Sequence, residues 1–211
     1  MRENLEEREV YNQIFELDTA LWEELERLSP DDVCCRALVS FDKSNGFVVP
    51  FLNKECLCDI HQRKILLSEG GENPVPFQVA LIVLTYLVRA REIPLTNQMV
   101  TEREVKGGSF FFRGPHALFT DPVLERFHDR PQPFLDAGIA LGGVPRDFGD
   151  ASFEIRALPR VPVGYILYQG DEEFEPRIVV TFDSSIEHHL PLDVIWALVN
   201  VISVELIKVD K

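Results

Sequence analysis

Residues 77–92, FQVALIVLTYLVRARE, form the stretch that decides the fold of this 211-residue chain. Apolar side chains occupy nearly every position up to Val88, and the first charged side chain of the stretch is Arg89. A helix that is apolar on all sides is buried inside a domain. The run is also shorter than the roughly 20 apolar residues that a membrane-spanning helix needs. These residues therefore predict a buried central helix, around which the rest of the chain folds.

Residues 4–28 predict an amphipathic helix upstream, because apolar side chains recur there at three- and four-residue steps. The stripe consists of Val10, Ile14, Leu17, Leu21, Leu25 and Leu28. The first 30 residues carry nine acidic and three basic side chains, and most of the glutamates lie off the stripe. We therefore expect an acidic N-terminal amphipathic helix at residues 1–30, followed by a single α+β domain at residues 31–211.

Two short β-type runs, FVVPFL at residues 47–52 and ECLCDI at residues 55–60, lie on either side of Asn53-Lys54. A two-residue polar break between extended runs predicts a hairpin. Pro50 has no backbone N–H, so it predicts that the first strand lies at a sheet edge or contains a bulge. Glycines and prolines between residues 70 and 76 predict a loop before the central helix.

The second half of the chain predicts a short helix, three strands and a long helix. The short helix spans residues 131–141, the strand-like runs are residues 153–157, 165–168 and 178–182, and the long helix spans residues 191–207. Short connections between the three runs predict an antiparallel meander. The predicted fold class is therefore α+β, a single domain with an antiparallel sheet (the hairpin plus the C-terminal meander), a buried central helix and a buried C-terminal helix.

The chain has 21 basic and 35 acidic residues, which give a formal net charge of −14. Nucleic-acid binders need a basic surface that neutralises phosphates, so we expect no nucleic-acid partner. The N-terminus has glutamates where a secretory signal needs an apolar run, and no apolar stretch is long enough to cross a bilayer. Four cysteines are too few for a disulfide scaffold in a chain of this length. We expect a soluble, cytoplasmic protein with no membrane partner.

Residues 103–130 reverse the local charge, since they hold five basic and four acidic side chains. Glycine-rich turns allow backbone N–H groups to approach a carboxylate or phosphate, which a nearby arginine can also bind. The predicted anion-binding residues are Arg103, Lys106, Gly107, Gly108, Arg113, Gly114 and His116. The alternative is a surface loop whose arginines pair with acidic residues elsewhere. The three phenylalanines at residues 110–112 are expected to lie in the core rather than to form a stacking platform.

A second group of reactive side chains lies between the last predicted strand and the C-terminal helix. The candidate catalytic residues are Asp183, His188 and His189, together with His116 of the basic segment. A carboxylate beside an imidazole suits acid–base chemistry or metal binding. Adjacent histidines point in different directions on a helix or a strand, however, so both bind one ion only in an irregular loop. The alternative is that Asp183, which precedes two serines, caps a turn through its side chain.

The cysteines form two pairs, Cys34-Cys35 and Cys56-x-Cys58, and are candidate metal ligands because thiolates bind zinc and iron–sulfur clusters. Neither pair has the two intervening residues of the usual metal motifs. On a strand, Cys56 and Cys58 would face the same side, where two buried free thiols give the same pattern. The chain also contains no GxSxG, GxxxxGK[ST], GxGxxG or HExxH motif. No motif therefore indicates a common hydrolase, an NTPase, a dinucleotide-binding protein or a zinc protease.

Four phrases taken together resemble a known domain family. They are GGSFFFRGPH (107–116), ALPRVPVGYILYQGDEEFEP (157–176), TFDSSIEHHLPLD (181–193), and VALIVLTYLV (79–88) with IPLT (93–96). The family is catalogued only as a domain of unknown function and occurs in anaerobic bacteria and archaea. Some members carry an appended cysteine-rich segment like that of corrinoid iron–sulfur proteins. The resemblance implies an association with a corrinoid or iron–sulfur cofactor, and it implies no established activity or catalytic residue.

Three hypotheses about function follow from these observations. In the first, the chain is a soluble accessory or binding protein for a corrinoid or other metallocofactor in an anaerobe, and it holds an anionic small molecule or cofactor at the basic segment. In the second, it is a hydrolase or transferase acting on an anionic small molecule, in which Asp183 and a neighbouring histidine meet the turn at residues 113–116. In the third, it is a structural module whose acidic N-terminal helix docks a protein partner.

Overall fold

The computed structural model describes residues 19–68 and 73–210. Its helices are α1 (Thr19–Arg27), α2 (Pro30–Ala37), α3 (Phe77–Arg89), α4 (Gly108–Phe111), α5 (Asp121–Phe127), α6 (Pro131–Ala140) and α7 (Leu192–Val209). Its strands are β1 (Ser40–Asp42), β2 (Gly46–Phe51), β3 (Lys54–Asp59), β4 (Lys64–Leu67), β5 (Met99–Thr101), β6 (Val144–Arg146), β7 (Ala151–Leu158), β8 (Val161–Tyr168) and β9 (Arg177–Asp183). The predicted α+β class is confirmed, but the hairpin and the meander, which were predicted to share one sheet, lie in two separate antiparallel sheets.

Helix α3 lies in the core, as its apolar pattern predicts. Its residues from Val79 to Val88 are buried, except that Leu81 is partly exposed. Helix α7 packs against α3 and buries apolar side chains along most of its length. The Tyr165 hydroxyl of β8 donates a hydrogen bond to the Val199 carbonyl of α7 at 3.2 Å, so α7 also lies against the second sheet. The predicted buried central helix and buried C-terminal helix are both confirmed.

The first sheet has the strand order β1-β2-β3-β4 and contains the predicted hairpin. Phe51 pairs with Lys54, so the turn consists of Leu52 and Asn53 rather than of Asn53 and Lys54. The prediction that Pro50 places its strand at a sheet edge is wrong, because β2 lies between β1 and β3. Pairing with β1 ends at Val48, however, so Pro50 has a neighbouring strand on one side only. This position tolerates the missing N–H donor.

The second sheet has the strand order β5-β9-β8-β7-β6, and β7, β8 and β9 form the predicted meander. Strand β8 is central, and seven of its eight residues are buried. The edge strands β5 and β6 have three residues each, which is too short for an alternating pattern to be recognised in the sequence. A hydrogen bond from the Leu52 amide to the Ala157 carbonyl, at 3.0 Å, joins the first sheet to the second.

Gly138 lets helix α6 pack directly on strand β7, and we expect Gly138→Ala to lower the free energy of unfolding by about 2 kcal/mol. A Cβ atom at this position would overlap the ring of Phe153, which is itself packed between the rings of Phe134 and Tyr165. Urea unfolding measures the effect. Helix propensity alone predicts the opposite sign, a stabilisation of about 1 kcal/mol. A variant more stable than the wild type would therefore contradict the close packing.

The predicted N-terminal helix falls partly outside the described residues. Its described part is α1, where Trp22 and Leu25 are buried in the same core as α3. Residues 4–18 of the prediction, and Gly70 and Gly71 of the predicted loop, lie outside the described residues. Across residues 19–68 and 73–210, no helix combines the length and apolar character that crossing a membrane requires. The predicted division of the chain at residue 30 stays a prediction.

Candidate functional site

An exposed group of rings and a guanidinium lies on the basic segment, and we call it the aromatic–basic surface. It consists of Phe110, Phe111, Arg113, His116 and Trp196. The Phe110 side chain is 82% exposed, and the Arg113 guanidinium carbon lies 5.7 Å from the centre of its ring. The prediction that all three phenylalanines lie in the core is therefore wrong for Phe110, whereas Phe111 and Phe112 are partly buried. A guanidinium at this distance from a ring makes a favourable cation–π contact.

The rings of Phe111 and Trp196 hold His116 in place while leaving it exposed. The His116 ring stacks on Phe111, with 4.7 Å between ring centres and 29° between ring planes. It also meets the ring of Trp196 at 5.9 Å and 77°. The Trp196 indole N–H donates to the Ala117 carbonyl at 3.1 Å, which fixes the turn against α7. The surface is thus an ordered arrangement of side chains supported by a core helix.

Glycines bend the chain at this site. Gly107 has a φ of +80°, a conformation that glycine adopts without strain, and it immediately precedes α4. A Cβ atom at Gly108 would overlap the Glu102 carbonyl, so the chain passes too closely there for any side chain. The Gly108 amide donates to the Val105 carbonyl at 2.8 Å, and the His116 amide donates to the Arg113 carbonyl at 3.1 Å. The Gly108 and His116 amides, two of those predicted to face an anion, are therefore used within the turns.

The basic side chains of residues 103–130 divide into two groups. Arg126 and Arg130 form ion pairs with Asp210 at 2.7 and 2.8 Å, and they tie α5 and its following turn to the end of α7. For these two residues, the alternative of pairing with acids elsewhere in the chain is confirmed. Arg103 forms an ion pair with its neighbour Glu102, at 3.5 Å, and its side chain is 84% exposed. Arg113 contacts Phe110 and forms no ion pair with any described residue.

The segment after β9 reaches the basic segment, but not through the residues predicted to be catalytic. The Lys106 amide donates to Glu187 at 3.3 Å, and the Leu192 side chain lies beside Gly107. Asp183 and His189 instead bond to the chain between α3 and β5, at Thr96, Asn97 and Arg91. The two segments therefore converge, while the predicted acid–base pair faces another part of the molecule.

Asp183 is a buried anchor. One carboxylate oxygen accepts hydrogen bonds from the Thr96 amide and hydroxyl and from the Ser185 amide, at 3.1, 3.0 and 2.9 Å. The other oxygen accepts from the Asn97 amide at 2.7 Å. Burial raises the pKa of this carboxyl, but the hydrogen bonds from Ser185 and Thr96 outweigh burial and hold the pKa below its usual value. The predicted capping role of Asp183 is confirmed by the bond to Ser185.

His189 is enclosed, and its Nδ1 accepts a hydrogen bond from the Arg91 amide at 3.3 Å. Burial and, after it, the nearby charge of Arg160 lower the pKa of His189 to about 4. Because Nδ1 is an acceptor, the neutral ring carries its proton on Nε2, which is buried and has no hydrogen-bond partner among the described residues. His188 is exposed, so the two adjacent histidines face different surroundings, as their spacing predicts.

Arg160 is a residue that the sequence analysis missed. Its side chain donates to the carbonyls of Arg36 at 2.6 Å and Ile93 at 2.8 Å, and its amide donates to the Tyr86 hydroxyl at 3.1 Å. It therefore joins the turn between β7 and β8 to the ends of α2 and α3. A guanidinium that binds backbone carbonyls leaves no sequence signal, because carbonyls belong to every residue type.

The cysteines lie in two different environments. Cys56 and Cys58 face the same side of β3, as predicted, and both are buried in the core. Burial raises the pKa of the Cys56 thiol to about 12 and raises that of Cys58 as well, so both thiols are protonated. Cys34 is partly buried and Cys35 is exposed. In the described part of the chain, no three His, Cys, Asp or Glu side chains are grouped to hold a metal ion.

Comparison with known proteins identifies the family. A family model described as a domain of unknown function, DUF3786, matches residues 29–204. No curated protein and no solved structure matches the chain. The match covers most of the chain, including α3, the aromatic–basic surface and the segment around Asp183. The chain therefore belongs to the DUF3786 family, whose function is not known.

Proposed function

We propose that this protein is a cytoplasmic accessory protein in the corrinoid or iron–sulfur metabolism of an anaerobe. In this role it binds an anionic ligand that carries a ring, and the binding site is the aromatic–basic surface. The observation that carries the proposal is the arrangement of Phe110 and Arg113, an almost fully exposed ring beside an exposed guanidinium. The corrinoid setting comes from the family resemblance and the location comes from these residues.

Exposing Phe110 has an energetic cost that binding would recover. A phenylalanine left in water forgoes roughly 1.5–3 kcal/mol of burial energy. A ligand ring stacked on Phe110 would cover that apolar surface. The Arg113 guanidinium presents a planar set of donors that suits phosphate or carboxylate oxygens. A ligand with a ring and an anionic group close together would therefore use both side chains at once.

A corrinoid with a nucleotide tail has this chemistry, because its tail carries a phosphodiester next to an aromatic base. Phe110 and Arg113 would hold the base and the phosphodiester, respectively. His116, fixed between Phe111 and Trp196, adds a further polar group at the same surface. A bound corrinoid would supply alkyl-transfer chemistry at its cobalt, and Phe110 and Arg113 would hold its tail.

Equilibrium dialysis with hydroxocobalamin, followed by its absorbance, tests the proposal. Cobinamide, which lacks the phosphodiester and the base, is the matched ligand control. We expect the wild type to bind cobalamin and not cobinamide. Loss of a hydrogen bond to a charged group costs about 1.5–3 kcal/mol, so Arg113→Gln should weaken cobalamin binding about 10- to 100-fold.

The matched protein control is Arg146→Gln. Arg146 is an exposed arginine of the edge strand β6 and is paired with Glu154 of β7. We expect this variant to bind cobalamin as the wild type does. Phe110→Ala should weaken binding in the same way as Arg113→Gln. The proposal would be overturned by a wild type that binds no cobalamin, or by equal affinities of the wild type and Arg113→Gln.

A further inference from the structure

A groove with a volume of about 390 Å³ lies at one end of the first sheet, and we call it the turn groove. Its lining residues come from the turn between β1 and β2, from the turn between β3 and β4, and from the corner between α1 and α2. Small-molecule pockets span roughly 300–1,000 Å³. The turn groove is therefore large enough for a small organic molecule, and it shares no residue with the aromatic–basic surface.

Apolar side chains make up most of the lining of the turn groove. They include Leu25, Leu28, Phe41, Phe47 and Ile60. Phe41 packs on Phe47 with 4.8 Å between ring centres, whereas Leu28, Phe41 and Ile60 are each partly exposed. Covering apolar side chains that are in contact with water is favourable. The lining thus favours a ligand with an apolar body.

The charged side chains of the turn groove favour an anion. Among the described residues that line it, Glu26 is the one acid, and its two carboxylate oxygens accept hydrogen bonds from Arg63 at 2.9 and 3.1 Å. Lys43 is exposed and forms no ion pair with any described residue. His61 adds an imidazole, which can donate a hydrogen bond from a ring nitrogen. The positive charge of Lys43 is therefore available to a ligand, while the negative charge of Glu26 is paired.

Side-chain caps hold the two turns that carry these polar groups. One oxygen of Asp42 accepts hydrogen bonds from two amides of the turn that contains Lys43, both at 2.9 Å. Asp59 accepts a hydrogen bond from an amide of the turn that contains His61, at 3.0 Å. A site whose backbone is already ordered loses less entropy when a ligand binds. The groove thus presents its polar groups on ordered turns.

We propose that the turn groove binds a small organic anion with an apolar body, namely a carboxylate that carries a short alkyl chain or a single aromatic ring. The apolar body covers Phe41 and Ile60, and the carboxylate binds Lys43 and a ring N–H of His61. This site goes beyond the proposed function, because it uses other residues and another class of ligand. It stands or falls independently of cobalamin binding.

Titration of the 211-residue chain with octanoate, followed by NMR of its methyl groups, tests the inference. Octylammonium is the matched ligand control, because it has an alkyl chain of the same length and the opposite charge. The net charge of −14 favours a cationic ligand anywhere on the surface, so a preference for octanoate reports on a specific site. We expect octanoate to shift the methyl signals of Leu28 and Ile60 with a dissociation constant of about 1 mM or lower. Octylammonium should bind at least about fivefold more weakly.

Lys43→Gln tests the role of the charge, because glutamine keeps a polar side chain and removes the ammonium group. We expect this variant to bind octanoate about fivefold more weakly, as suits one partly exposed ion pair. The matched control is Lys54→Gln, which changes an exposed lysine at the opposite end of the same sheet. Its affinity for octanoate should equal that of the wild type.

Four results would each overturn the inference. They are shifts confined to methyls outside the groove or no shift at all, an affinity for octylammonium that equals or exceeds the affinity for octanoate, and an unchanged affinity in Lys43→Gln. The fourth is a set of Leu28 and Ile60 signals that move with protein concentration in the absence of octanoate. This last result would show that a second copy of the chain occupies the groove.

Discussion

Asp183→Ala is expected to lower the free energy of unfolding by about 4 kcal/mol, measured by urea unfolding at neutral pH. The substitution removes the acceptor of four hydrogen bonds. Three of the donors are backbone amides, of Thr96, Asn97 and Ser185, and at a nearly buried site such donors are costly to leave without an acceptor. Because the bonds join the chain after α3 to the end of β9, their loss also loosens the edge strand β5.

Two control variants distinguish the loss of the Asp183 hydrogen bonds from the general effect of replacing an aspartate. Asp183→Asn keeps one oxygen acceptor and loses the charge, so we expect about half of the destabilisation. Asp171 also accepts two backbone amide bonds, from Glu173 and Phe174, but it lies in an exposed turn. Asp171→Ala should therefore change the free energy of unfolding by less than about 1 kcal/mol. Equal effects of Asp171→Ala and Asp183→Ala would contradict the anchoring role.

The anchoring role bears on the enzyme hypothesis. A general base must be able to take up a proton near the working pH. Hydrogen bonds stabilise the charged form of Asp183 and lower its pKa, so this carboxylate is a weak base. Of the residues that do reach the basic segment, Glu187 and Trp196 each bond to one backbone group there, and Leu192 packs beside Gly107. The Asp183 carboxylate thus anchors the chain after α3 and does not meet the turn at residues 113–116.

The long elements of the fold were predictable because each one has a clear pattern. The residues of α3 are apolar on all sides, which only a buried helix explains in a chain of this composition. The meander strands are seven or eight residues long and are separated by polar turns. The strands β1, β5 and β6 have three residues each and are held by pairing with longer neighbours, so their conformation depends on contacts that are distant in sequence.

The sequence indicated which segments carry the candidate residues, but it did not indicate how the structure arranges their side chains. The reversed local charge and the glycines indicated a candidate binding segment at residues 103–116, and the Asp-Ser-Ser sequence indicated a capped turn at Asp183. Three consecutive phenylalanines are expected to be buried because their side chains are apolar. The sequence does not show which of the three rings faces solvent when the chain forms the four-residue helix α4. The hydrogen bonds of Arg160 and His189 go to backbone groups of α2 and of the chain after α3, which carry no residue-type signal.

Acid is expected to destabilise the protein through His189 well above the pH at which most carboxylates become protonated. In the unfolded chain this histidine has its ordinary pKa of about 6.5, whereas in the folded protein its pKa is about 4. Between these two values the unfolded state binds more protons, so the free energy of unfolding rises with pH. As the pH falls from about 6.5 to about 4, the protein should lose up to about 3 kcal/mol through this one group.

Comparison with His189→Gln isolates the contribution of His189 to the pH dependence of stability. The side-chain oxygen of glutamine can accept a hydrogen bond from the Arg91 amide, and glutamine does not titrate. The quantity to measure is the free energy of unfolding at steps between pH 7 and pH 4, for the wild type, for His189→Gln and for His61→Gln. His61 is exposed, so its substitution is the control for replacing a histidine at the surface.

The lowered pKa of Asp183, like that of His189, makes the protein less stable as the pH falls, but it does so at lower pH. A carboxylate with a lowered pKa stabilises the fold above its unfolded pKa of about 3.9, and that stabilisation is lost as the pH falls below this value. The window between pH 6.5 and pH 4.5 therefore reports mainly on histidines. Parallel slopes for the wild type and His189→Gln in this window would show that His189 takes up its proton in the folded state. The ring would then be open to solvent, and the Arg91 bond would not define its tautomer.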